Sequence, residues 1–241
     1  MNTKAEVNKY RTTATVVGVV YLLGFVVGIM GMGLFTSILS GPDYLSTVSA
    51  KSTLLGFAAV LWLMAVIGDA AHGVLMFPIL KQHSERMAIG YLAFRIVDAT
   101  FIAIMVLFVL IQIPLGSEYL KAAASDTAFL QALSTLFSQT QQYAYQIGMS
   151  ALGISGLMLC YTLYRAKLVP GWLAIWGLVG YATILIGMLS AIMGSGLGDL
   201  SSYVGGLWEM FVGVWLIVKG FSSPALSHVT KTSNLAEPLV S

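Results

Sequence analysis

The stretch "YLAFRIVDATFIAIMVLFVL", residues 91–110, sets Arg95 and Asp98 three positions apart inside a run that is otherwise apolar. On a surface helix of a soluble protein both charges would simply face water. On a helix that crosses lipid they must find partners, because an unpaired charge at bilayer depth costs several kcal/mol by order of magnitude. Composition decides between the two. Hydrophobic residues make up 58% of the chain and charged residues 9%, against roughly 45–50% and about 25% in soluble domains. So few charges cannot clothe a soluble domain, and the apolar residues come in long blocks. The 241 residues therefore read as an integral membrane protein.

Largely apolar runs of about 20 residues or more, enough to cross a hydrocarbon core, lie near residues 14–38, 53–80, 87–113, 143–164, 172–194 and 203–221. The fold class is all-α: six transmembrane helices in one bundle. Polar breaks such as "SGPDY", "KQHSER" and "GSGLGDLSS" separate them, and Pro170 before Gly171 and Trp172 suits the first turn of the fifth helix. If the N-terminus lies inside, the inner segments hold Lys4, Lys9, Arg11, Lys81, Arg86, Arg165, Lys167, Lys219 and Lys231, against Lys51 and Lys121 outside. That bias places both termini in the cytoplasm. The domain layout is a leader over 1–13, a single bundle over 14–222 and a disordered tail over 223–241. The first span is too long for a signal peptide and is read as retained.

In "SDTAFLQALSTLFSQTQQ", residues 125–142, Phe129, Leu130, Leu133, Leu136 and Phe137 follow helical spacing while Asp126, Gln131, Ser134 and Ser138 take the other face. This predicts a short amphipathic outer helix before helix four; extension of the fourth span itself accounts for the pattern equally well. Cys160 is the only cysteine, which excludes an intramolecular disulfide. His83 in the inner loop and His228 in the tail are read as solvated. A net charge of +2 without a clustered basic face gives no reason to expect nucleic acid.

Arg95 and Asp98 stand roughly 13 and 18 Å up the third helix from the inner loop, and Asp69 roughly 16 Å up the second, at 1.5 Å per residue. His72 is one turn below Asp69. Because the connection is short, the two helices are antiparallel neighbours and their polar residues meet at one depth. An Asp69–Arg95 ion pair is expected, with Asp98 and His72 completing a buried cluster. The excess of acid over base would be met by a proton, a charged His72 or a bound cation. Glu209 on the sixth helix adds a carboxyl near mid-membrane, joining the cluster, or else lying within snorkelling distance of the outer interface or bonded to Tyr203, Tyr143 or Tyr145. Gly205 and Gly213 beside it allow a close helix approach, and the Gly24–Gly28 spacing reads as helix packing.

The stretch "GDAAHGVLMFPILKQHSERMAIGYLAFRIVDAT" resembles bacterial membrane proteins of the domain-of-unknown-function 4386 family, in which an acid, a short basic loop and an arginine followed by an acid recur. "YQIGMSALGISGLMLCYTLYRAKLVPGWLAIWGLVGY" and "LWEMFVGVWLIVKGF" are similar to its later segments, so the resemblance covers roughly residues 8–222. It implies a six-helix inner-membrane protein with Arg95, Asp98 and Glu209 as characteristic polar positions. It implies no activity, and His72 is not expected to be general in the family.

The sequence offers no constellation for catalysis. Within the bilayer His72 stands without further histidines, which rules against a zinc hydrolase or a bis-histidine haem, and a serine hydrolase would need a G-x-S-x-G elbow. No catalytic residues, metal or cofactor are assigned. Two functions remain: a protein that binds or transports an ion or small molecule through Asp69, His72, Arg95, Asp98 and Glu209, or an accessory protein whose charges only hold the bundle together. The lipid bilayer is the assured partner, and a homo-oligomer is left open.

Overall fold

The computed structural model describes residues 3–41, 43–196 and 198–222. Among these every regular element is a helix: α1 (Thr3–Leu39), α2 (Tyr44–Ala50), α3 (Ser52–Lys81), α4 (Glu85–Leu110), α5 (Gln112–Lys121), α6 (Thr127–Arg165), α7 (Gly171–Ile192) and α8 (Gly198–Val218). Six helices are long and apolar enough to cross a membrane, α2 and α5 being the short exceptions. Residues 3–13, expected as a leader, continue α1 without a break. The tail over 223–241, with His228, lies outside the described residues.

The spanning helices form a ring. Each packs against two others, in the order α1, α3, α4, α6, α7, α8 and back to α1. Small residues set the seams. A Cβ on Gly18 of α1 would come within 2.4 Å of the Gly213 carbonyl of α8, and one on Gly180 of α7 within 2.9 Å of Gly205 Cα. The expected close approach at Gly205 and Gly213 is therefore present. Gly24 and Gly28 have nothing within 4 Å of their Cβ positions, so they serve no helix seam of the ring, contrary to the packing reading. Outside the ring the surface is apolar, with Ile29, Ile67 and Ile186 each at least 65% exposed, as a lipid-facing surface requires.

The turns follow from local chemistry. Ser84 caps α4 by accepting a hydrogen bond from the Met87 backbone N–H at 3.3 Å. Only three residues, 82–84, separate α3 from α4, which makes them antiparallel. Pro170 sits one position earlier than expected, as the N-cap of α7, its carbonyl accepting from Leu173 and Ala174. Gly220 ends the last helix with φ +72°, its N–H bonding the Trp215 and Leu216 carbonyls. Arg11 of α1 reaches across to the Ile217 carbonyl at 2.7 Å, so the first helix caps the last.

At the opposite end the structure departs from the sequence reading. Residues 127–165 form one helix, so the amphipathic segment extends the fourth span instead of standing apart. Its two faces are mixed: Ser134 is fully buried and Phe129 and Leu136 are 69% and 58% exposed, while Leu130, Leu133 and Phe137 are half-buried and Asp126 and Gln131 are exposed. The cause is α5, which occupies the supposed loop at "IPLGSEY". Gln112 of α5 is buried and needs partners. Ser134 Oγ donates to Gln112 Oε1 at 2.5 Å, and Tyr44 of α2 donates to Ser134 Oγ at 2.6 Å. A polar clamp thus ties α2, α5 and α6 together. The segment at Gly198, read as loop, already begins α8.

Candidate functional site

Asp69 and His72 lie one turn apart on α3, facing Tyr91, Arg95 and Asp98 of α4. Gly73 makes the approach close: a Cβ there would stand 3.2 Å from Arg95 Cβ, so the arginine stem lies flat on α3. Arg95 Nη2 meets Asp69 Oδ1 at 2.8 Å, a hydrogen-bonded ion pair. Arg95 Nη1 is 3.7 Å from Asp98 Oδ2, an attraction without a hydrogen bond.

The three side chains differ in exposure. Arg95 and Asp98 are 4% and 1% exposed, whereas Asp69 is 34% exposed. Neither oxygen of Asp98 has a hydrogen-bond partner among the described residues, nor does Arg95 Nε. A native protein leaves few buried carboxylates in that condition. Glu209 of α8 lies within electrostatic range of Arg95 and Asp69 and accepts a hydrogen bond from Tyr181 of α7 at 2.6 Å. Tyr181, a partner the sequence reading did not name, thus holds Glu209. The cluster sets one guanidinium against three carboxyls, Asp69, Asp98 and Glu209.

His72 does not join the ion pair. Its Nδ1 shares a short hydrogen bond with the Tyr91 hydroxyl, and its ring packs on Tyr21 of α1 with centroids 4.2 Å apart. Tyr21 meets Trp208 of α8 at 6.4 Å, and Trp208 meets Tyr181 at 5.4 Å. Tyr91, His72, Tyr21, Trp208 and Tyr181 therefore make a continuous belt of rings across five helices, each ring at most 8% exposed. Along α3 and α4 the belt lies nearer the 82–84 turn than Asp69 and Arg95 do. Beyond it His72 borders a cavity of about 10 Å³ shared with Val17, Trp208, Leu216 and Phe221. His72 Nε2 is buried and unpartnered among the described residues. A larger cavity, about 530 Å³, lies outside the ring on the α3–α4 seam, between Val66, Ala70, Ile96, Ala99 and Leu107, and touches no charged residue.

Sequence reasoning named Asp69, His72, Arg95, Asp98 and Glu209, and the structure brings Asp69, Arg95 and Asp98 into contact, with Glu209 within electrostatic range and His72 one turn from Asp69. It missed Tyr21, Tyr91, Tyr181 and Trp208. A signal was present, since aromatic residues with polar tips favour the membrane interfaces, and Tyr91 sits four residues before Arg95, on the same helix face. Among the described residues no three His, Cys, Asp or Glu side chains converge as a metal set.

The family described as Domain of unknown function (DUF4386) matches residues 16–220, and the chain belongs to it. No curated protein and no solved structure matches the chain.

Proposed function

We propose that this multi-pass membrane protein of the DUF4386 family takes up a cation, a proton or a small protonated amine, at the buried carboxyl cluster and passes it through the helix ring. The observation that carries the reading is Asp98: it is 1% exposed, neither oxygen is hydrogen-bonded among the described residues, and Arg95 gives its short contact to Asp69 instead. With all three carboxyls ionised the cluster would hold two negative charges in excess, which a dry interior does not tolerate. A positive guest neutralises them. Asp69, 34% exposed, is the point of entry, on the side of the belt away from the 82–84 turn. With the lysine and arginine bias inward, that entry faces the outside of a bacterial inner membrane.

The 2.8 Å Asp69–Arg95 pair favours a second reading, in which the charges only hold the ring in register. Thermal unfolding of the purified protein in detergent separates the two, at fixed pH and ionic strength in sodium, potassium, methylammonium or choline chloride. A guest raises the midpoint in at least one of these salts, and Asp98→Asn and Glu209→Gln abolish the rise. If the guest is the proton alone, the midpoint instead responds to pH differently in Asp98→Asn and in the wild type. Identical responses to all salts and to pH in wild type and variants would leave only the structural clamp.

A further inference from the structure

The aromatic belt decides what passes beyond the cluster. Its rings are at most 8% exposed and run unbroken from α4 through α3, α1 and α8 to α7. On its far side the His72 cavity, about 10 Å³, has room for about one water. A methylated amine or a hydrated metal ion has no such space. A proton needs none, only a chain of exchangeable hydrogens.

The belt contains that chain. His72 has one nitrogen on each side of the problem: Nδ1 is hydrogen-bonded to Tyr91, while Nε2 is buried, unpartnered among the described residues, in a ring that borders the cavity. Tyr91 is one turn from Arg95 and within electrostatic range of Asp69 and Glu209. The other groups that face the pair are Tyr21 of α1, Arg95 of α4, Cys160 of α6 and, through Tyr21, Tyr181 and Glu209. The remaining cavity wall is apolar: Val17, Met76, Leu159, Leu216 and Phe221 give a proton nowhere else to stop.

We propose that the cation moved by this cluster is the proton and that His72 hands it across the belt. The inference rests on the cluster reading above. In the transfer the Tyr91 O–H bond breaks as an Nδ1–H bond forms, and the Nε2–H bond breaks as its proton passes to a water in the cavity. The Tyr91 oxygen regains a proton from a carboxyl of the cluster through a bridging water. Charge is conserved at both His72 and Tyr91: the acid has lost one proton and the cavity water has gained one. The imidazole is left as its other neutral tautomer; it resets when, turned about Cβ–Cγ, it gives the Nδ1 proton to the cavity side and takes one on Nε2 from the cluster side, which moves a second proton in the same direction before the ring turns back.

The test uses the full chain in lipid vesicles containing the pH dye pyranine, with a potassium gradient and valinomycin supplying an inside-negative potential. Wild-type vesicles acidify inside. His72→Gln, which keeps hydrogen bonding but cannot relay, and Tyr91→Phe, which keeps the ring and loses only the hydroxyl, each lose tenfold or more of the rate. Both are first shown to elute and unfold as the wild type does, and if His72→Gln fails this check Tyr91→Phe alone decides. Flux at the wild-type rate in a folded variant overturns the assignment of His72 and Tyr91. A wild type without flux whose unfolding still shows the Asp98-dependent salt response overturns the proton as cargo and leaves the cluster reading standing. Absence of both responses removes both.

Discussion

Replacing Arg95 with Leu removes the one cation in contact with Asp69 and Asp98 among the described residues. The consequences differ for the two acids. Asp98, 1% exposed and already without hydrogen bonds among the described residues, becomes a buried acid with no counter-charge in contact among them, whereas Asp69, 34% exposed, keeps part of its access to a polar environment. Removing one partner of a buried pair costs about 3–5 kcal/mol, and Asp98 places Arg95→Leu in that range. Asp69→Leu costs less, about 1–2 kcal/mol, because a partly exposed pair is worth little more than a surface one and Arg95 retains Asp98 at 3.7 Å. The double variant should be more stable than the sum of the singles by about 1–2 kcal/mol, the coupling of residues in one network. It should not recover fully, since Asp98 stays orphaned. Reversible unfolding of the two singles and the double in mixed detergent micelles at one pH measures this. Strict additivity would refute the pair as an energetic unit, whatever its 2.8 Å geometry.

Tyr181→Phe removes the hydroxyl that bonds Glu209 and should cost about 1.5–3 kcal/mol by the same unfolding assay, the range for hydrogen bonds to charged groups; a neutral outcome would mean Glu209 is satisfied elsewhere. In Gly156→Ala the new methyl would stand 2.2 Å from the Tyr181 ring, so unfolding should become easier by about 1–3 kcal/mol through overpacking. Ser134→Ala leaves the buried Gln112 Oε1 without its donor and should open the 122–126 connection to limited proteolysis at a concentration that spares the wild type. Reporter domains fused after Lys81 or Lys167 should read cytoplasmic and those after Asp43 or Asp126 external; a shared compartment for Lys81 and Asp126 would contradict the inward bias of the positive residues.

The spans were legible because a bilayer demands about twenty apolar residues per crossing whatever the neighbours are. The Asp69–Arg95 pair was legible for a related reason: a three-residue turn fixes α3 and α4 as antiparallel, and 1.5 Å per residue then matches the depths. What lay outside sequence reasoning depends on neighbours distant in the chain. Ser134 looked solvent-facing until Gln112 and Tyr44 came from two other helices to bury it. Gly24 and Gly28 looked like a seam until the ring order turned their face away from any partner. Tyr181 meets Glu209 only because α7 and α8 are held at backbone contact by Gly180 and Gly205.

The ring is closed by its last member, with Arg11 reaching from α1 to the Ile217 carbonyl at the end of α8. During synthesis, therefore, the chain must pass α1 through α7 into the membrane while the wall that carries Glu209 and Trp208 does not yet exist. The adjacent α3–α4 hairpin eases that interval, because Asp69 and Arg95 neutralise each other within one unit leaving the insertion machinery. Asp98 has no such early shelter and waits for α6, whose Gly148 lies against the Asp98 backbone carbonyl. A chain released before α8 would present lipid with an open trough lined by Tyr21, His72 and Tyr181, whose polar tips have no water to meet in the hydrocarbon.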